Sequence, residues 1–334
     1  ERVQDAWDRT PLFPPGPHLE RWQFWWGFHH DEILERAFSR DDRSPDSGAR
    51  AEMIAALDSV SDEVSAADFA LARFGHEALG PESTQRLRQR LRESLSSQTG
   101  RGQRDDYNEG IELTTLALGL LGGAESAMVL EALAGDTATG RRMVARDEVP
   151  SSCYTFAVYA LGVLGMRSGS SEVRAEMATQ MVELAQTASR RGPKFQVTRP
   201  DFQMALLTVL GALPLPWTTD DRDTLDGSRL THQLVQWMDS ATLLSRDFRV
   251  ATRIPIAAAR VMTNTRAPFD ASFWQQRRDL ITVLKTVREK GLFPRTAWNQ
   301  SRIMALGHLA AHGAANMQSG PEHAEETLAL VEYL

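Results

Sequence analysis

Ser151–Gly165 reads SSCYTFAVYALGVLG; a short Gly/Ser turn follows, and then a second amphipathic run that reaches Leu184. Ala, Leu and Gly recur at helical spacing across Ala157–Gly165, so the stretch predicts a helix that approaches its neighbours closely. The phrase returns as TLALGLLG at Thr115–Gly122, MALLTVLGAL at Met204–Leu213 and MALGHLAAHG at Met304–Gly313. Anchored on Gly119, the matching positions are Ala72, Gly119, Gly162, Gly211, Arg260 or its small neighbour Ala259, and Gly307, with spacings counted through Arg260. Their spacings of roughly 47, 43, 49, 49 and 47 residues describe a repeat of two helices. Close helix approach explains a small residue at each anchor, with Leu or Val one turn away filling the remaining volume.

The units so defined are 63–97, 107–135, 151–190, 201–245, 247–290 and 299–334, with an irregular pair at 19–60 ahead of them. Ser151, Asp201, Asp247 and Asn299 stand at or near the expected helix starts, where their side chains can cap free N–H groups. The last helix, Pro321–Leu334, carries Leu328, Leu330, Val331 and Leu334 as its apolar residues and is expected to close the array. Period-2 alternation is absent, so no strand is expected.

The N-terminal end differs. Four prolines between Pro11 and Pro17 keep residues 1–18 extended. Trp22, Trp25 and Trp26 then fall at i, i+3 and i+4 on one helix face, which either plugs the next helical layer or offers an aromatic platform to a partner. Residues 39–50 are a polar linker. The expected organisation is an extended arm with a Trp-rich helical cap over 1–60, and a repeat array over 61–334.

Composition narrows the function classes. The chain has 334 residues, 42% of them hydrophobic, enough for two domains or one elongated array. A formal net charge of −7 argues against a dedicated DNA binder. No apolar run is long enough to span a membrane. The single cysteine, Cys153, sits among Tyr154, Phe156 and Val158 and reads as a buried thiol. The first residue is Glu1; removal of a signal peptide and a chosen start point both account for it.

The phrases ALGLLG at Ala117–Gly122 and ALGVLG at Ala160–Gly165, each followed by a turn and a second helix, resemble HEAT-like repeat proteins. That resemblance implies an all-α, right-handed α-solenoid of about six helical hairpins, without catalytic residues or cofactor. The segment Trp22–Asp31 (WQFWWGFHHD) is similar to one that precedes HEAT-like arrays in large bacterial proteins, many of them exported, which implies an exported location.

Other groupings invite chemistry and fall short of it. His29 and His30 are adjacent, so on a helix they point about 100° apart and do not share one metal ion. From Asp221, the fifth and sixth positions are Leu225 and Asp226, which fails the calcium-loop pattern. The stretch Arg190-Arg191-Gly192-Pro193-Lys194 through Arg199 is the most basic, and Arg141, Arg142 and Arg146 lie in the preceding inter-unit break. Side by side, these two segments would make a docking edge for acidic groups. The glycines at Gly119–Gly123 end a helix and fit no phosphate loop.

Two functional readings result. The first is a non-enzymatic scaffold or structural subunit that binds protein partners, with Trp22, Trp25, Trp26, Arg190, Arg191, Lys194, Trp217 and Trp298 as candidate contact residues. The second closes the hairpins into an (α/α)6 toroid, a carbohydrate-active enzyme in which Asp220, Asp221, Trp217 and Trp298 line a central cleft.

Overall fold

Runs of Ala, Leu and Val with few breakers build helices wherever the chain is described, and no strand occurs among the described residues. The computed structural model describes residues 66–99, 109–190, 200–217, 225–239, 248–265, 269–286, 295–315 and 321–333, all within the unit Pro45–Leu334. The helices come as hairpins: α1 (Ala66–Leu79) with α2 (Pro81–Thr99), and α3 (Glu109–Leu121) with α4 (Ala124–Ala134). After a short α5 (Ala138–Met143) come α6 (Ser151–Arg167) with α7 (Ser171–Arg190), and then α8 (Pro200–Ala212) and α9 (Gly227–Asp239), which follow each other in the chain but pack on the next first helix more than on each other. A one-turn α10 (Phe248–Ala251) precedes α11 (Arg253–Asn264) with α12 (Ala271–Thr286), and α13 (Arg295–Ala315) with α14 (Pro321–Tyr333) ends the series.

The first helices of successive hairpins pack in chain order: α1 on α3, α3 on α6, α6 on α8, α8 on α11 and α11 on α13. Each second helix packs on the next hairpin's first helix, as α2 does on α3, α4 on α6, α7 on α8, α9 on α11 and α12 on α13. An inner helix therefore has partners on nearly every side, which is why α6 buries every residue from Cys153 to Gly165. A helix that is apolar all round is stable only in such a setting. Outer helices are two-faced. In α2, Leu87, Leu91 and Leu95 turn inward at four-residue spacing, while Arg86, Gln89 and Glu93 face solvent.

The repeat anchors set how closely the inner helices approach. A Cβ added to Gly119 would lie 2.5 Å from the carbonyl oxygen of Ala160, and one on Gly162 would lie 2.6 Å from Val209. A Cβ on Gly211 would meet Ala257 at 3.1 Å. Each anchor thus faces the following inner helix. Gly307, at the same position of the last hairpin, would meet nothing within 4 Å.

Helix C-termini leave carbonyls without intrahelical partners, and neighbouring side chains supply the donors. The helix α1 breaks at Gly75 (φ +78°), and there Arg167 Nη2 donates to Arg73 O at 2.7 Å from two hairpins away, while His76 Nδ1 lies 3.2 Å from Leu121 O. Arg174, buried at the start of α7, donates to Ser168 O at 2.7 Å and to Pro214 O at 2.9 Å. Asn264 Nδ2 donates to Gly211 O at 2.8 Å, and Arg302 reaches Leu284 O and Lys285 O. Gly122 and Gly123, at φ +74° and +82°, turn the chain out of α3 in the left-handed region that glycine tolerates best.

Helix starts differ from expectation in three places. Pro150 precedes α6, and Ser151 is its first residue with no side-chain cap, because proline fits that N-terminal turn without needing a donor. Pro200 is itself the first residue of α8, which leaves Asp201 inside the first turn. Asn299 lies a full turn inside α13, which begins at Arg295. Among the described residues, side chains that cap include Thr137 on Gly140 N, Ser170 on Val173 N, Asp226 on Arg229 N and Asp270 on Phe273 N. Asp247, the expected cap of the fifth unit, and the arm and cap at 1–60 lie outside the described residues. The break between the second and third units, expected as a loop, holds α5. There Arg141 grips Asp136 with two bonds of 3.0 and 2.8 Å, and Asp136 also accepts from Val149 N at 2.9 Å.

Gly119→Ala and Gly307→Ala should move stability in opposite directions. The first drives a methyl into backbone and is expected to cost about 1–3 kcal/mol despite the better helix former. The second enters open space and is expected to gain up to about 1 kcal/mol from reduced chain entropy. Urea unfolding of both variants in dilute solution reads the two signs.

Candidate functional site

The densest meeting of aromatic and charged side chains lies among α12, α13 and α14. Asp270 caps α12 and accepts from Ser272 Oγ at 2.6 Å; these bonds hold its carboxyl below the usual range. The cap starts the helix so that Phe273 and Arg277 share a face at i, i+4. Phe273 stacks on Phe269 at 4.3 Å and meets Trp217 edge-on at 4.8 Å. Phe269 and His312 of α13 meet edge-to-face at 5.4 Å. Arg277 lies 5.7 Å from the centre of the Trp274 ring, within cation–π range.

Arg277 is fully buried, yet it keeps partners: Nη1 donates to Glu326 at 2.6 Å and Nη2 to Leu309 O at 3.0 Å. Burial lowers its pKa, against the opposing pull of Glu326. Gly313 makes the room, since a Cβ there would stand 2.7 Å from Arg277 Nη2 and 2.3 Å from Thr327 Oγ1. His312 titrates below its usual value, first because it is buried and then because Arg277 repels its proton. Of the two carboxylates in this knot, Asp270 accepts from Ser272 Oγ and Phe273 N, and Glu326 accepts from Arg277. The knot's chemistry is that of a clasp between three helices.

The predicted contact residues fall in different places. Trp298 is 5% exposed, so its ring is part of the core of α13 and not a surface platform; its indole N–H has no hydrogen-bond partner among the described residues. Trp217 is half-buried, packed on Phe273, with its N–H 3.4 Å from Ser272 Oγ. A Trp near an expected break reads as exposed, and for Trp298 packing within the fold takes the ring inward, while Trp217 keeps part of its surface open. Trp22, Trp25, Trp26, Arg191 and Lys194, together with Asp220 and Asp221, lie outside the described residues, as does the side chain of Arg190 at the end of α7. The companion basic patch is partly committed within the fold, since Arg141 is paired with Asp136.

Cys153 is completely buried, 3.9 Å from Thr115 Oγ1, and burial pushes its thiol up to about 12. Among the described residues no group of His, Cys, Asp and Glu could hold a metal ion, and no helix is long and apolar enough to cross a membrane.

Sequence reasoning missed one surface. Exposed large apolar side chains gather on the last hairpin: Ile303 and Met304 on α13, Leu328 and Val331 on α14, each more than half exposed. Leu330 alone of the described apolar residues expected to close the array turns fully inward, at 1% exposure. Comparison with protein-family models, with curated proteins and with solved structures finds no match.

Two predictions test this arrangement. Cys153 should resist a maleimide in the native protein and react promptly in denaturant, followed by mass spectrometry; thiolate is the reacting form and is disfavoured in the core. His312 gains its proton more readily unfolded than folded. Its contribution to stability is therefore present above pH 6.5, the unfolded value, and is lost as pH falls towards the lower folded value. Thermal unfolding at pH 7.5 and 5.5 should show a larger loss for the natural protein than for His312→Gln.

Proposed function

We propose that the chain is a HEAT-like, right-handed α-solenoid that serves as a protein-interaction scaffold or structural subunit. The observation that supports this reading is the order of packing. Every extensive helix pair among the described residues lies within one hairpin or between consecutive ones. A chain built this way offers successive helices and inter-hairpin loops as one long surface, and needs no reaction centre to be useful. The clasp at Arg277 and the buried thiol of Cys153 fit the same reading, because the groups with the greatest chemical potential are spent on holding the fold together.

Recognition would fall to side chains that repeat least. Arg190, Arg191 and Lys194 form the basic segment between the third and fourth hairpins, and Trp22, Trp25 and Trp26 form the aromatic stripe near the N-terminus. Basic groups steer acidic partners, and aromatic groups anchor them. The toroidal enzyme reading has less support, since Trp298, one of the rings assigned to its cleft, is buried.

Affinity purification from the native cell tests the reading, with the Arg190→Glu, Arg191→Glu, Lys194→Glu variant as its control. A specific protein should accompany the natural chain and be lost from the variant, while helicity by circular dichroism is unchanged. Retention of every accompanying protein by the variant would sink the assignment of that edge. Small-angle scattering separates the two architectures: an extended profile is expected, and a compact one would favour the toroid.

A further inference from the structure

We infer that the clasp around Arg277 is an acid-sensitive joint, in which a proton taken up by His312 parts α12 from α13 and α14 while the earlier hairpins stay folded. The geometry sets a fixed cation beside a titratable ring. Arg277 Nη2 donates to Leu309 O at 3.0 Å, one turn of α13 before His312. A Cβ on Gly313, the residue after His312, would stand 2.7 Å from that same nitrogen. Leu309, His312 and Gly313 thus border the guanidinium from α13, and Glu326 of α14 holds its Nη1 at 2.6 Å. Phe269 and Phe273 close on the imidazole, with ring centres 5.4 and 6.0 Å away. The far end of α12 is tied down independently of His312. Arg302 of α13 donates to Leu284 O and Lys285 O, and the Lys285 ammonium lies 4.5 Å from the centre of the Tyr333 ring on α14. Arg277 is the latch of this joint, and Leu284–Lys285 is its hinge.

The charged groups on the described elements around His312 do not offer a second cation a buried countercharge. On the α12 side, Asp270 is occupied by Ser272 Oγ and Phe273 N, and Arg278 and Asp279 both bond Gln275 at the surface. On α14, Glu325 is exposed and Glu326 serves Arg277. Arg260 of α11 turns to Gly211, and Arg253 lies by the opposite end of α13, where Ser301 bonds Thr252 O. His308, one turn earlier on α13, brings no negative charge. Burial, and then repulsion by Arg277, already holds His312 below its usual value. Once the proton is taken up, two cations face the single carboxylate of Glu326. Parting the helices returns water to both cations, which relieves the desolvation and the repulsion together. A helix as short as α12 is marginal without its packing partners, so its backbone amides report the opening.

The joint stands on the packing of α12, α13 and α14 and not on the scaffold reading, so either survives failure of the other. The test is hydrogen exchange with mass spectrometry on the full chain at pH 7.5 and 5.0, each rate divided by the intrinsic rate at that pH. Protection across Phe273–Leu280 should fall several-fold in acid. The ceiling is about 30-fold, set by an opened ring that titrates at 6.5. Protection across α6 and α8 should not change. His312→Gln and His312→Phe each remove the titrating group and should abolish the acid response; should one of them fail to fold, the other decides. His308→Gln, one turn away, should keep the response. The proposal is overturned by an equal loss across α6 and α8, by no loss at Phe273–Leu280, or by a response that survives the His312 variants or disappears in His308→Gln.

Discussion

The approach of α3 to α6 depends on the absence of one methyl group. Gly119 rests on the backbone of Ala160, and no side chain could shift far enough to admit a Cβ there. Close contact lets the surrounding leucines interlock: Leu118, Leu121, Leu161 and Val158 are all inaccessible to solvent. Dispersion between densely packed atoms is small for each pair and large in sum. The same device recurs at Gly162 and Gly211, so spacing between the inner helices is specified by glycine backbone, while leucine and valine side chains provide the buried area.

Tight packing alone would leave helix ends unsatisfied in the interior. Side chains from adjoining segments solve this with long reach, as Arg174 does for Ser168 and Pro214, and Arg302 for the end of α12. Buried cations are costly unless paired and hydrogen-bonded. Arg277 meets that condition through Glu326 and Leu309 O, and buried Asp68 finds its countercharge in Arg90 at 3.1 Å. Charge is therefore part of the interior of this protein, tied in both cases across two helices.

The hairpin repeat was legible because helical periodicity and a recurring small residue are local signals. Gly119, Gly162 and Gly211 could be read as contact points without knowing what they touch. Helix starts were less legible, because Ser151 and Asp201 look like caps and the prolines beside them take the first turn instead. The clasp around Arg277 was invisible, since its two charged members are separated by about 50 residues and neither is unusual alone. The exposed stripe on α13 was hidden for the opposite reason. Its phrase copies that of buried helices, and exposure there is decided by a neighbour that the local pattern does not encode.

Arg167 carries a consequence for how the molecule comes apart. Its guanidinium leaves the end of α6 and holds a carbonyl of α1, passing over the hairpin between them. An array coupled only to nearest neighbours can fray one unit at a time from its end. A tether that skips a unit removes that freedom, because opening α1 releases Arg167. Gly75 lies at the same junction, where a Cβ would stand 3.4 Å from Arg167 Nη2. The bond couples opening of the first hairpin to the third, so amide protons of α1 should exchange more slowly than packing on its nearest neighbours alone would give.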